Sequence, residues 1–225
     1  ACIGEGSSSS GEWWEALNLA ATRGLPISYI LQNNQIALDT PPVNQSNVEL
    51  WADKAVAMGM PSWTIDGSDP ASWHASVACA REFALFGGGP TLIHVETMRG
   101  CGHAHHHDDL YLGAPSGTPP GYVDKELLSY WEAKDPIPTH RNLLLSLGVT
   151  EDELSEMETE EQELVDSARM HVEEMEWADP STVTIGITSL HDADSHEDHL
   201  KRLSGSVTRN EAGPVLDVGE CLLKY

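Results

Sequence analysis

Apolar and polar positions along the first hundred residues follow two rhythms. Apolar runs of strand length occur at ACI (1–3), PISYILQ (26–32), SWTIDG (62–67) and TLIHVETMR (91–99). Between them apolar residues return every three or four positions, the spacing of one helix face. Trp13, Trp14, Leu17, Ala20 and Ala21 predict a helix within GEWWEALNLAATRG, and Gly24 stands where a helix stop belongs. NVELWADKAVAMG (47–59) predicts a second amphipathic helix ending at Gly59. Asp69-Pro70 opens a third that runs to about Phe86, with Pro70 suited to a first turn, and GGGP breaks it. Strands alternating with helices predict an α/β fold, a mostly parallel sheet with helices on both faces.

The texture changes after Asp109. GAPSGTPPG (113–121) reads as a Gly/Pro-rich loop. Residues 122–148 read as helical with a break at DPIP, and 151–177 as one long acidic helix. On that helix Leu154, Met157, Leu164, Ala168, Val172 and Met175 recur at three- and four-residue steps, while the opposite side is nearly all Glu and Asp, a solvated face. From Ser181 the chain turns polar and reads as a linker or surface excursion, with His191, His196 and His199 as surface histidines and an apolar EAGPVLDVGECLLKY at the end. The expected organisation is an α/β domain over 1–120, a helical extension over 121–180 and a tail over 181–225. Ala1-Cys2-Ile3 reads as the tail of a buried strand, so the sequence is expected to be a piece of a longer chain.

Charge narrows the partners. Asp and Glu outnumber Lys and Arg 36 to 12, a formal charge of -24. Such a surface repels nucleic-acid phosphates and anionic membranes, so neither is an expected partner. There is no run of 18 apolar residues and no charged-then-apolar leader, from which a cytoplasmic location is expected. Cys2, Cys79, Cys101 and Cys221 lie far apart with no CxxC, which suits a reducing compartment rather than a disulfide framework.

The stretch that carries chemistry is GEGSSSSGEWWEALNLAATRGLPISYILQNN (4–34). A strand ends at Gly4-Glu5-Gly6, a small-residue turn and a helix follow, and a second strand ends at Asn33-Asn34. In a parallel sheet both strand ends lie on one edge, where ligands bind. Glu5 and Asn34 then offer hard oxygens to one Mg²⁺, which takes few protein ligands and completes its shell with phosphates and water. Gly4 and Gly6 let the backbone approach a diphosphate, and a helix N-terminus favours an anion.

This arrangement resembles the thiamine diphosphate motif, written GDG, then just under thirty residues, then NN. EALNLAATRGLPISYILQNN, MPSWTIDGSD, GPTLIHVETMRGCGH, YWEAKDPI and the acidic helix after GVTEDEL follow, in order and spacing, the alpha subunit of the decarboxylating component of 2-oxo acid dehydrogenase complexes, of pyruvate and branched-chain type. The resemblance covers residues 1 to about 178. It implies a thiamine diphosphate-binding fold and places the metal-binding acid on Glu5, where most members have Asp and the Glu is similar to the branched-chain type. It places the ligand amide on Asn34 and a liganding backbone carbonyl on Ile36, where many relatives have Tyr. Gly6 and Ser7 match the turn that faces the diphosphate.

The histidine-rich stretch RGCGHAHHHDD (99–109) then finds a place. In the family a loop beginning GHS follows the strand that ends in Arg, and its His stands beside the thiazolium; Gly102-His103-Ala104 occupies that position, making His103 the candidate active-site histidine. An imidazole there hydrogen-bonds a developing anion or moves a proton near neutral pH. Ala104 replaces the Ser that is phosphorylated in mitochondrial members, so that control is expected to be absent. His105, His106 and His107 have no counterpart and read as a mobile, polar substrate loop. Trp13, Trp14, Trp51, Trp63 and Trp73, and likewise His74 and His94, read as packing or surface residues rather than as ligand sites.

The resemblance implies oxidative decarboxylation of a 2-oxo acid and transfer of the acyl group to a lipoyl-bearing acyltransferase, with thiamine diphosphate and Mg²⁺ held between this alpha part and a separate or fused beta part. The beta part supplies the carboxylate that activates the aminopyrimidine, so the chain alone is expected to be inactive. GEG and NN alone do not separate this family from acetoin-cleaving or transketolase-like enzymes; GPTLIHVETMRGCGH favours the oxo acid group. From another class, a non-catalytic protein would bind Zn²⁺ through His105–His107.

Overall fold

The computed structural model describes residues 1–183. They fall into two compact units, the first ending at His140 and the second beginning at Arg141. The expectations for 184–225, including His191, His196 and His199, lie outside the described residues.

The first unit is built on a four-stranded sheet of β1 (Cys2–Gly4), β2 (Ser28–Asn33), β3 (Ser62–Asp66) and β4 (Thr91–Glu96), ordered β1-β2-β4-β3 and parallel throughout. α1 (Gly11–Arg23) links β1 to β2, and α3 (Pro70–Leu85) links β3 to β4. Alternation along the strands sends side chains to two faces. Tyr29 and Leu31 of β2 and Leu92 of β4 join Trp13, Leu17 and Ala20 of α1, with Trp51, Ala55 and Met60, in one core. Ile93 and Val95 of β4 and Ile65 of β3 join Ala80 of α3 in a second, with Ile30, Trp63 and Trp73 packed on it. The expected α/β architecture, with helices on both faces, is therefore present.

Local signals close the helices. Gly24 adopts φ 60° and satisfies carbonyls of the last turn of α1, the left-handed stop expected there. The Asp69 carboxylate accepts from the Ala71 N–H at 3.0 Å, and Pro70 opens α3.

The helix expected over 47–59 is reduced to a single turn, α2 (Asp53–Val56). The Ser46 hydroxyl takes up the Val48 N–H at 3.3 Å, and residues 53–55 bond three residues back rather than four. Local side-chain capture competes with helix propagation here, and the resulting coil delivers Trp51 into the first core. Gly59 still ends the segment, with φ 68°.

Two helices follow the Gly/Pro loop, α4 (Lys125–Glu132) and α5 (Pro136–Ser146). The break expected at DPIP lies just ahead of Pro136: Asp135 accepts from the Ile137 N–H at 2.9 Å, so the prolines sit in the first turn of a new helix instead of interrupting an old one. In the second unit α6 (Glu151–Glu174) starts with a reciprocal cap between Thr150 and Glu153. Arg141 pairs with Glu151 and Glu158. Of its apolar stripe Leu154 is buried, whereas Met157, Leu164, Val172 and Met175 stay exposed among the described residues.

Leu17 is 0% exposed and Leu19, two positions on, is 56% exposed. Leu17→Ala is expected to cost about 2–5 kcal/mol in urea unfolding, and Leu19→Ala less than about 0.5 kcal/mol. Equal losses would contradict the assigned core.

Candidate functional site

All four strands point their carboxyl ends to one edge of the sheet. The register sets Asn33 of β2 beside Glu96 of β4, and Glu96 beside Asp66 of β3. Gly4 pairs with Gln32, and the Glu5 N–H donates to the Gln32 carbonyl at 3.2 Å, so Glu5 takes the next place beside Asn33. Glu5, Asn33, Glu96 and Asp66 thus form a polar row where the hydrophobic strands end.

Glu5 is 2% exposed, and its Oε1 has no hydrogen-bond partner. A buried, unpartnered carboxylate oxygen is costly unless a cation or donor reaches it. The backbone around it is held from below: Gly6–Ser9 forms a 3-10 turn, the Ser8 hydroxyl donates to the Glu5 carbonyl at 2.6 Å, and the Trp51 indole N–H donates to Ser8 Oγ at 2.9 Å. Lys54 stands 3.4 Å from the same oxygen, over the Trp51 ring; burial lowers its ammonium from the ordinary value. A Cβ on Gly6 would come within 2.5 Å of Ala37 Cβ, so the turn packs against the next loop only with glycine there. Ser7 is exposed on its outer side, and Ser10 caps α1 without a side-chain bond, leaving first-turn N–H groups for an anion.

Asn34 follows on the neighbouring loop. Its carbonyl accepts from the Arg99 N–H at 3.1 Å, and its side-chain oxygen accepts from the Ile36 N–H at 3.3 Å, leaving a lone pair over. Ile36, half-buried, lines a cleft of about 540 Å³ with Gln35, Met98, Tyr111, Tyr122 and Leu127. Gln35 has φ 71°, uncommon for a residue with a side chain. Glu5, Gly6, Ser7, Asn34 and Ile36 therefore share two adjacent loops, with Gly4 ending β1 just before them.

His103 comes from the loop after β4, on the same edge, and is exposed. That loop is folded back on itself. Gly102 is buried, its N–H donates to Asp108 at 2.7 Å, and a Cβ there would lie 2.5 Å from the His107 carbonyl carbon. His105–His107 form a 3-10 turn. Among the described residues no three His, Cys, Asp or Glu side chains converge on a metal position. The set on Glu5, Asn34 and Ile36 is of another kind, one carboxylate with amide and backbone oxygens. The bare Glu5 oxygen and the glycine-only turn beside it fit a small hard cation with an anionic ligand.

Comparison with known proteins places the chain in a family. The profile of the Dehydrogenase E1 component family matches residues 1–181. The chain belongs to the dehydrogenase E1 component family. It is 35% identical over 171 residues to the pyruvate dehydrogenase E1 component subunit alpha of Bacillus subtilis, covering 76% of this chain and 42% of that one. Against the subunit of the same name from Bacillus cereus it is 37% identical over 158 residues, covering 70% and 40%. Against that of Staphylococcus aureus strain Mu50 it is 32% identical over 169 residues, covering 75% and 42%. The chain thus spans about two fifths of the length of these relatives. No helix among the described residues is long and apolar enough to cross a membrane.

Within this E1 component chain, sequence reasoning missed the polar group beneath the edge. His94, read as a packing or surface residue, is fully buried; its Nδ1 meets Thr64 Oγ1 at 3.0 Å and its Nε2 lies 3.1 Å from Glu96 Oε1. That last contact is at ion-pair distance but off the line of a straight hydrogen bond. Asn33 and Gln35 donate to Glu96 at 3.1 and 2.6 Å. Burial raises the Glu96 carboxyl, but His94, Gln35 and Asn33 together outweigh it and leave it below its ordinary value. The available signal was period two in LIHVE, which puts Leu92, His94 and Glu96 on one face.

At the far end of the row Asp66 pairs with Lys134 and accepts from Ser68. Burial raises the Asp66 carboxyl, and the bonds from Lys134 and Ser68 more than reverse it; the bond to Asp66 raises Lys134. A lowered acid stabilises above its unfolded value and loses that contribution as pH falls; a raised ammonium loses its contribution as pH rises through its folded value. Lys134→Met is therefore expected to cost about 0.2–1 kcal/mol near neutral pH, a gap in melting temperature that closes as pH falls through the lowered Asp66 carboxyl, below the ordinary carboxylate range. Gly6→Ala is expected to cost about 1–3 kcal/mol, read by urea unfolding.

Proposed function

We propose that this chain is the alpha part of a thiamine diphosphate- and Mg²⁺-dependent 2-oxo acid dehydrogenase, acting with a beta part and a lipoyl-bearing acyltransferase. The observation that carries this reading is the buried Glu5 carboxylate with a bare oxygen, next to the Asn34 loop on the carboxyl edge of a parallel sheet. Glu5, the Asn34 side chain and the Ile36 carbonyl would hold the metal. Gly4 and Gly6 admit the diphosphate to the backbone, and the Ser7 hydroxyl and the start of α1 donate to it. Thiamine diphosphate supplies the carbon nucleophile and electron sink for decarboxylation when bound.

The chain's own part in turnover falls to His103. Exposed on the same edge, it can donate to an oxyanion developing on the 2-oxo acid or carry a proton near neutral pH. Ala104 beside it offers no hydroxyl for phosphorylation. A beta part would cover this edge and complete the site, leaving the isolated chain without decarboxylase activity. The relatives named above are pyruvate enzymes; for this chain the substrate class is a 2-oxo acid.

Titration of thiamine diphosphate into the complete polypeptide assembled with its partner should show heat only with Mg²⁺ present, and none in Glu5→Ala. His103→Ala should still bind while turnover falls roughly hundredfold or more. Binding in Glu5→Ala as tight as in the unaltered protein would refute the metal assignment.

A further inference from the structure

The group under the sheet edge has no part in the reading above, yet it is built around the metal loop. The Glu96 carboxylate only accepts hydrogen bonds, and two amides donate to it: Asn33 Nδ2 lies 3.3 and 3.1 Å from its two oxygens and Gln35 Nε2 lies 2.6 Å from Oε2, while His94 Nε2 stands at ion-pair distance, 3.1 Å from Oε1. Asn33 and Gln35 are the two residues flanking Asn34. Asn33 is further tied to Gln35, whose N–H donates to Asn33 Oδ1 at 3.1 Å. One carboxylate therefore pins the loop on both sides of its central residue.

Glu96 is itself fixed. Its carbonyl accepts from the Gly67 N–H at 2.7 Å, and a Cβ on Gly67 would press on that same oxygen, so the turn after β3 closes tightly over the Glu96 backbone. His94, 0% exposed, packs against Trp51 and keeps a counter-group on the buried side of the carboxylate. The left-handed Gln35 backbone stands only while its surroundings hold it; the bond from its side chain to Glu96 does so.

We propose that Glu96 is a positioning residue for the metal: by clamping Asn33 and Gln35 it sets where the Asn34 oxygen stands, with His94 as the buried group that keeps the carboxylate aimed. This rests on the assignment of Asn34 as a Mg²⁺ ligand. Without Glu96 the ligands remain, but the loop that presents Asn34 has to be ordered by the ion itself. Partners that orient a metal ligand typically carry about 10–100-fold in metal affinity.

The test measures thiamine diphosphate binding across a Mg²⁺ series in the complete polypeptide with its partner. Glu96→Leu is expected to need at least about tenfold more Mg²⁺ for half-saturation and to recover full binding at high Mg²⁺, which Glu5→Ala does not. Ile65→Val, in the other core, lowers the melting temperature while leaving the Mg²⁺ requirement unchanged, which separates positioning from stability. Wild-type Mg²⁺ dependence in Glu96→Leu overturns the proposal and leaves the Glu5 and Asn34 assignment intact. Absence of Mg²⁺-dependent binding in the unaltered protein overturns that assignment, and the role of Glu96 with it. Should Glu96→Leu fail to fold, Gln35→Leu carries the test from the other side of the clamp: it removes the amide that donates to Glu96 at 2.6 Å, so its Mg²⁺ requirement must rise, and an unchanged one overturns the proposal.

Discussion

The ladder between β2 and β4 is the constraint on which the rest of the first unit depends. It pairs every residue of β2 from Ser28 to Asn33, and it joins the two strands whose opposite faces feed the two cores. A slip of one residue would turn Leu31 and Leu92 away from α1 and carry Asn33 out of line with Glu96. The same register that fills the cores therefore also sets polar groups side by side at the carboxyl edge. Packing and chemistry are settled by one set of backbone bonds, which leaves the loops free to differ without disturbing either.

Much of this was legible in the residues because the signals were short-ranged. Period two and period three-to-four marked β1–β4, α1 and α3, and Gly24, Asp69 and Pro70 placed helix ends within a residue. Where the pattern failed, a competing local bond explains it. Over 47–59 the apolar spacing suited a helix, but Ser46 captured a backbone N–H and Trp51 was needed in the core beside Ser8. That indole contact spans 43 residues, and no window of sequence contains it. The break expected at DPIP is present, and there the proline that stops one helix also opens the next.

The site divides along the same line. Glu5 and Asn34 were visible because each ends a strand in a recognisable spacing, and the fold then sets their loops side by side. The clamp of His94, Glu96, Asn33 and Gln35 was invisible, because its members come from two strands and meet only through the register. The His94 ring lies at ion-pair distance from the Glu96 carboxylate, which accepts from both amides of the loop, so these residues form one polar group at its base. Within a chain of charge -24, acidic groups at this edge are thus individually neutralised or left bare, and the bare oxygen on Glu5 stands out against paired Glu96 and Asp66.

The bond from Gly102 to Asp108 has a consequence for how this region can vary. It draws the two ends of the histidine run together, so residues 103–107 form a small closed bight whose base is fixed at Gly102. Length or composition can change at the tip and be absorbed there, with no displacement passed back along β4 to the sheet. The surface met by an incoming molecule is in this way decoupled from the frame beneath it, and the two can diversify at different rates.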